Sequence, residues 1–261
     1  MLVNAYTAAR SDELPPQERN RQWWERLPMT YEAWQADDRS TNRARVISKF
    51  LASNPYLTRD YFTQHSGKRV LEIGCGAGPA TCLFAEAGAQ ITAIDLTQAA
   101  VDMTGAYEPR AVVSRMDAEA MTFDANSFDH VFSWGVLHHS ASSERAFSEI
   151  ARVLRPGGTA LLMVYNRASL RYWIKGGLWL LLRGKIFRGE NFSTVQRFFT
   201  DGYFHRHFTS VEMRKALAPL KTQRIDVTHM AGRMLPLMPH RLDERLKTKW
   251  GWLLVARCVK L

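Results

Sequence analysis

The sequence predicts an α/β fold: a seven-stranded, mostly parallel sheet with flanking helices, an N-terminal helical extension and a lid inserted between strands five and six. Three observations predict it. From residue 68 to residue 165, apolar segments alternate with helix-like ones, which signals parallel strands joined by helical crossovers. The first apolar segment runs into three glycines at alternate positions, Val70-Leu71-Glu72-Ile73-Gly74-Cys75-Gly76-Ala77-Gly78-Pro79, a turn whose bare amides are expected to face a ligand at a helix N-terminus. Finally, 261 residues with 46% hydrophobic composition suffice for one core with extensions.

Residues 1–66 mix aromatics with alternating charges after the breaker Pro15-Pro16, which reads as two or three amphipathic helices. Strand one covers 69–73. Helix one follows from Pro79 to about Ala87, with proline at its start and Gly88 just past its end. Strand two covers 90–94 and ends at Asp95, helix two covers 98–107, and strand three covers 111–116 and ends at Asp117. Strand four is 128–134. A helix over 143–154 leads to Arg155-Pro156-Gly157-Gly158, read as a sharp turn into strand five at 159–165.

Residues 167–220 then interrupt the alternation, and an insertion of that length between neighbouring strands reads as a functional cover. Thr209-Ser210-Val211-Glu212 has capping-box spacing and starts a helix to about Ala218. Strand six lies at 223–228, a loop spans 232–249, and 250–260 closes the sheet. The expected organisation is one domain over 1–261: a helical cap (1–66), a cofactor-binding core (67–166), a substrate cover (167–220) and closing strands (221–261).

Cys75, Cys82 and Cys258 are an odd number without a Cys-x-x-Cys pair, so reduced thiols are expected rather than disulfides or a zinc site. His205 and His207 lack a convincing cysteine or carboxylate partner, and no metal is expected. With no long apolar run and no signal-peptide pattern at the start, a soluble, cytoplasmic protein is expected. The net charge of +10 is unevenly distributed. Residues 1–166 hold 16 Lys/Arg against 19 Asp/Glu, and residues 167–261 hold 19 against 6. That basic final third suits an acidic or carrier-tethered small molecule, nucleic acid or a membrane surface, or is simply a solvated face.

A dinucleotide fingerprint would place glycine at position 79, where this chain has Pro79. The glycine turn instead resembles motif I of class I S-adenosylmethionine (SAM) methyltransferases. Further matches follow in order: Ile94-Asp95, Met116-Asp117-Ala118-Glu119 with Phe123, Ser127-Phe128-Asp129-His130-Val131 with Leu137-His138-His139, and Leu154-Arg155-Pro156-Gly157-Gly158. Together they resemble the group that includes ubiquinone- and menaquinone-biosynthesis and natural-product methyltransferases, with a Rossmann-like sheet.

The resemblance implies SAM as cofactor and S-adenosylhomocysteine as product. Gly74, Cys75, Gly76 and Gly78 would admit the methionyl part, and Glu72 would take its ammonium. Asp95, 21 residues after Gly74, would accept the ribose hydroxyls, and Asp117 the adenine amine, with Leu96 and Ala118 along the ring. Trp134 would border the cleft.

His138 and His139 are the candidate general bases, with a structural role as the alternative. Tyr31 and Trp34 from the cap, and Tyr165, Arg167, Tyr172 and His205 from the cover, are the candidate substrate contacts. Arg171 and Lys175 join Arg167 as partners for an acidic group. Cys75 reads as core filling, since a SAM methyl passes directly to its acceptor. An RNA acceptor is the alternative to a small molecule, although the Asn/Asp-Pro-Pro-Tyr/Phe signature is replaced by Ser133-Trp134-Gly135-Val136. A non-catalytic SAM-fold subunit is the other alternative.

Overall fold

A computed structural model describes residues 14–26, 39–182, 184–189, 191–192, 203–234 and 238–261. Tyr31 and Trp34 lie outside the described residues.

Seven strands form one sheet in the order β3-β2-β1-β4-β5-β7-β6. They are β1 (Arg69–Ile73), β2 (Gln90–Asp95), β3 (Val112–Arg115), β4 (Phe128–Trp134), β5 (Leu154–Tyr165), β6 (Lys221–Thr228) and β7 (Leu253–Val259). The first five are parallel, and β7 runs antiparallel between β5 and β6. The chain leaves β1 in one direction to β2 and β3, then returns to the other side of β1 for β4. The strand order therefore reverses at the β1–β4 pair, and ligands in open α/β sheets bind in the crevice beyond such a switch point.

Alternation along the strands divides the core into two layers. Leu71, Leu162 and Leu254 pack with Phe147 and Ile150 of α6 (Ser143–Val153) and Met213 of α8 (Ser210–Ala216). Val70, Leu161 and Val255 pack with Leu83 and Phe84 of α4 (Pro79–Glu86) and Phe62 of α3 (Arg59–Thr63) on the other face. Two further N-terminal helices, α1 (Pro16–Arg26) and α2 (Arg39–Ser53), precede this core, and α5 (Gln98–Tyr107) joins β2 to β3. The capping box at Thr209 and Glu212 forms with both reciprocal hydrogen bonds, as its spacing predicts.

Two expectations change. Arg155-Pro156-Gly157-Gly158 belongs to the irregular start of β5, because the register jumps from Phe128↔Leu154 to His130↔Thr159. Long-range bonds hold this bulge: Arg155 Nε donates to Asp129 at 2.6 Å and the Gly157 amide to Lys260 O at 2.8 Å. A Cβ on Gly158 would lie 2.8 Å from Arg155 O, so glycine is required there.

The second change is a helix, α9 (His240–Trp250), inside the expected 232–249 loop, which moves the start of the last strand to Leu253. Buried Asp243 anchors it, accepting from the Met234 amide at 2.8 Å and pairing with Lys247 at 2.9 Å. The local signals for this helix are Pro239 at its N-cap and Leu242, Leu246 and Trp250 spaced four residues apart.

α2 is fixed to the sheet side by buried Glu108, which accepts from Arg43 Nη2 at 2.9 Å and Arg110 Nε at 2.6 Å. Arg110 first and Arg43 second hold the Glu108 carboxyl below its ordinary range. Such a carboxylate stabilises the fold when ionised, so its contribution is lost as the pH falls through the carboxylate range. Glu108→Ala is expected to cost about 1–3 kcal/mol at neutral pH and progressively less on acidification, read from denaturant unfolding.

Candidate active site

The glycine turn forms where β1 ends, and most of its amides are bonded internally. Gly74 N and Cys75 N donate to Ile94 O at 2.7 and 3.1 Å, Gly76 N to Asp95 Oδ2 at 3.0 Å, and Gly78 N to Cys75 O at 2.8 Å. The expectation of bare amides facing a ligand is therefore corrected. A turn whose donors are already satisfied is poorly equipped to cradle a phosphate. Gly74 has φ +77°, and a Cβ there would sit 2.2 Å from Val136 Cγ2, so the turn packs directly against the exit of β4. A Cβ on Gly76 would meet nothing within 4 Å.

Beyond these strand ends lies a cavity of about 640 Å³, a size suited to a drug-sized ligand or cofactor. Glu72, Asp95 and Asp117 bring three carboxylates to one wall, and Ile73, Ile94, Leu96, Met116 and Ala118 make it apolar between them. Glu72 is buried, accepts from Thr81 Oγ1 at 2.5 Å, and has no ion-pair partner among the described residues. Burial pushes its pKa up to about 8. Asp95 Oδ1 accepts from the Thr97 amide and hydroxyl, both at 2.9 Å. With Gly76 N on Oδ2, about one of its four acceptor directions is left for a ligand. Asp117 Oδ1 accepts from Glu119 N at 2.9 Å and from Gln17 Nε2 at 2.7 Å.

The Gln17 contact comes from α1, which lies over the cavity with Gln17, Asn20 and Trp24 turned to it. Asn20 Nδ2 donates to His139 O at 2.9 Å, and the Trp24 ring lies edge-on to His139 with centroids 5.0 Å apart. α2 lines the cavity with Asn42, Arg45, Val46, Lys49, Phe50 and Ser53. Its spacing of three and four residues defines one helix face. Trp134 Nε1 donates to Asn54 Oδ1 at 2.8 Å, fixing the indole where β4 ends.

The cavity thus unites Glu72, Gly74, Cys75, Gly76, Asp95, Leu96, Asp117, Ala118, Trp134, His139 and Tyr165 of the sequence-derived candidates. It leaves out Gly78, His138, Arg167, Tyr172 and His205. A Cβ on Gly78 would press on Thr104 at 2.9 Å, so that glycine serves helix packing. His138 is fully buried behind Tyr165, with ring centroids 3.9 Å apart, and burial holds it neutral. Arg167 pairs with Glu212 at 2.6 Å, and the buried Tyr172 packs on Phe192 and His207.

His139 keeps its place. Its Nδ1 donates to Phe204 O at 2.8 Å, which makes Nε2 the acceptor nitrogen of the neutral ring, and burial lowers its pKa to about 4. So weak a base is suited to orienting a donor on an acceptor molecule rather than retaining its proton. Gln17, Asn20, Trp24, Asn42, Arg45 and Lys49 are among the lining residues missed from sequence. The shared helix face of Asn42, Arg45, Lys49 and Ser53 was the available signal.

The wall carries three hydrogen-bond-accepting carboxyl groups and its turn offers few free amides, which disfavours a phosphate and suits a ligand bearing hydroxyls and an amine. Comparison with known proteins agrees. Residues 71–162 match the family described as methyltransferase domain. Over residues 71–162 this chain is thus similar to that methyltransferase family, and its sheet has the fold of SAM-dependent methyltransferases.

A methyltransferase of Mycobacterium tuberculosis described as uncharacterized is 31% identical over 147 residues, covering 53% of this chain and 59% of that protein. The chain thus spans about three fifths of that relative's length. The ubiquinone biosynthesis O-methyltransferase of Coxiella burnetii is 29% identical over 110 residues, covering 41% of this chain and 47% of that protein. Among solved structures, a Haloferax volcanii methyltransferase in complex with the Trm112 methyltransferase activator has a TM-score of 0.60 at 18% identity, covering 88% of this chain and 97% of that one. A SAM-dependent methyltransferase from Mesorhizobium loti has a TM-score of 0.54 at 18% identity, covering 75% and 92%. These structures share the fold.

The raised Glu72 pKa predicts the direction of a pH effect. Between about pH 5 and pH 8 the folded state holds a proton on Glu72 that the unfolded chain has released, so stability falls as the pH rises through that window. Thermal melts should show this decline, and Glu72→Gln should flatten it.

Proposed function

We propose that the protein transfers a methyl group from SAM to a small-molecule acceptor, in the cytoplasm and in biosynthetic metabolism, with the four segments read from the sequence forming one working domain. The observation that carries the reading is the single cavity in which the three carboxylates and the acceptor-side residues meet. The site's chemistry fits the cofactor: buried Glu72 has no cationic partner among the described residues, and SAM brings an ammonium and a sulfonium.

Glu72 would take the ammonium, Asp95 a ribose hydroxyl, and Asp117 the adenine amine beside Gln17. Leu96, Ala118 and Ile94 would flank the ring. SAM supplies a methyl group already activated on sulfur. The chain's own task is then to hold an acceptor lone pair in line with that carbon and to exclude water, which supplies about 7–11 kcal/mol in favourable cases. Trp134, Phe50 and Tyr165 offer apolar walls for the acceptor, and His139 Nε2 a hydrogen-bond acceptor. An acidic group on the acceptor would find Arg45 and Lys49, which replace Arg167, Arg171 and Lys175 in that role because none of those three lines the cavity.

Asp95→Ala is expected to weaken SAM binding by about hundredfold or more, measured by calorimetry, while circular dichroism shows the sheet retained. Unchanged affinity would remove the cofactor assignment. Supplying methyl-labelled SAM with a cell extract should place the label in the small-molecule or lipid pool. Label found only in nuclease-sensitive material would instead establish an RNA acceptor.

A further inference from the structure

Among the described residues, the basic final third contributes none to the cavity lining, and its first helix has an unusual surface. This helix, α7 (Leu170–Leu182), seats Tyr172 and Leu180 in the interior. Its other side carries Trp173, Leu178, Leu181 and Leu182, which are 52, 49, 66 and 77% exposed, and Phe187 in the following 3₁₀ turn (Lys185–Arg188) is 90% exposed. At 3.6 residues per turn, the four helical positions fall within about 180° of arc. The helix therefore has a second apolar face, turned outward. Singly scattered exposed apolar residues need no explanation, but a clustered face does.

Charge identifies the occupant. Residues 167–188 contain Arg167, Arg171, Lys175, Arg183, Lys185 and Arg188, with no Asp or Glu. Arg167 is engaged by Glu212, and the Arg171 guanidinium lies over the Trp252 ring at 4.8 Å. The segment as a whole remains strongly cationic. Two copies related by a two-fold axis through this face would bring these cations against one another. An anionic surface would be attracted to the same cations while accepting the Trp, Leu and Phe side chains. With 13 residues, α7 is about 20 Å long, too short to cross a hydrocarbon layer of about 30 Å. No helix among the described residues is long and apolar enough to span a membrane.

We propose that α7 and the turn after it form an interfacial membrane-binding element. It lies flat on an anionic bilayer, with Trp173, Leu178, Leu181, Leu182 and Phe187 entering the boundary between headgroups and acyl chains and the segment's net positive charge drawing it to the lipid phosphates. The element sits close to the cavity. The Tyr172 ring packs 4.9 Å from His207, and His207 packs 5.6 Å from Tyr165, which lines the cavity wall. The proposal rests on the composition and exposure of α7 and stands apart from the transfer reaction.

The test is co-sedimentation of the full chain with vesicles of phosphatidylcholine alone and of phosphatidylcholine mixed with phosphatidylglycerol. Binding is expected to the mixed vesicles, to weaken as salt is raised, and to be slight on phosphatidylcholine alone. Leu181→Glu should reduce binding about tenfold or more with an unchanged melting temperature. Val112→Glu places the same charge on a residue 65% exposed at the far edge of the sheet and should bind nearly as the parent does. Equal binding by the parent and Leu181→Glu, or no binding to the anionic vesicles, would overturn the proposal. So would a concentration-dependent dimer that Leu181→Glu dissociates and that ignores the vesicles, because the face would then belong to a second copy.

Discussion

The hydrogen bonds that tie the exit of β1 to the exit of β2 set the geometry of the site. Gly74 and Cys75 both donate to Ile94 O, and Gly76 donates to the Asp95 carboxylate. These contacts bend the chain sharply away from β1, launch α4 at Pro79, and hold Asp95 beside the turn. Because the amides are satisfied within the protein, the ligand-facing chemistry of the site passes to side-chain carboxylates. That shift separates this turn from a phosphate-binding one and leaves the cavity wall rich in carboxyl acceptors.

The other wall is assembled from the N-terminal helices, and its contacts span long stretches of sequence. Gln17 reaches Asp117 across 100 positions, and Asn20 reaches the His139 carbonyl across 119. Glu108 holds α2 through Arg43 so that Arg45 and Lys49 face the cavity. The carboxyl-bearing strand ends are thus local products of the βαβ pattern, whereas the opposite wall is a product of packing. α1, α2 and the β4 and β5 exits line the cavity, and no described residue after Tyr165 does.

The two adjacent histidines illustrate why burial has to be seen. In sequence His138 and His139 are equivalent candidates, and the short 3₁₀ turn Leu137–His139 sends them in different directions. One stacks behind Tyr165 and the other lines the cavity with its Nδ1 committed to Phe204 O. Arg167 and Tyr172 diverge from expectation for the same reason. Each lies near the cavity in sequence, but Arg167 turns to Glu212 and Tyr172 into the core.

The sequence alone determined the parallel sheet, the glycine turn, and the placement of Glu72, Asp95 and Asp117 at successive strand ends. Period-two apolar runs, helix caps and positive-φ glycines are local physical requirements, so each is legible in a few consecutive residues. The β5 bulge, the α1 and α2 lining residues and the separation of His138 from His139 were decided by the tertiary structure. Each depends on a hydrogen bond, ion pair or ring contact between segments far apart in the chain, which no local pattern encodes. The outward apolar face of α7 belongs to both. Its composition is written in the sequence, but only packing shows which of its leucines the core leaves uncovered.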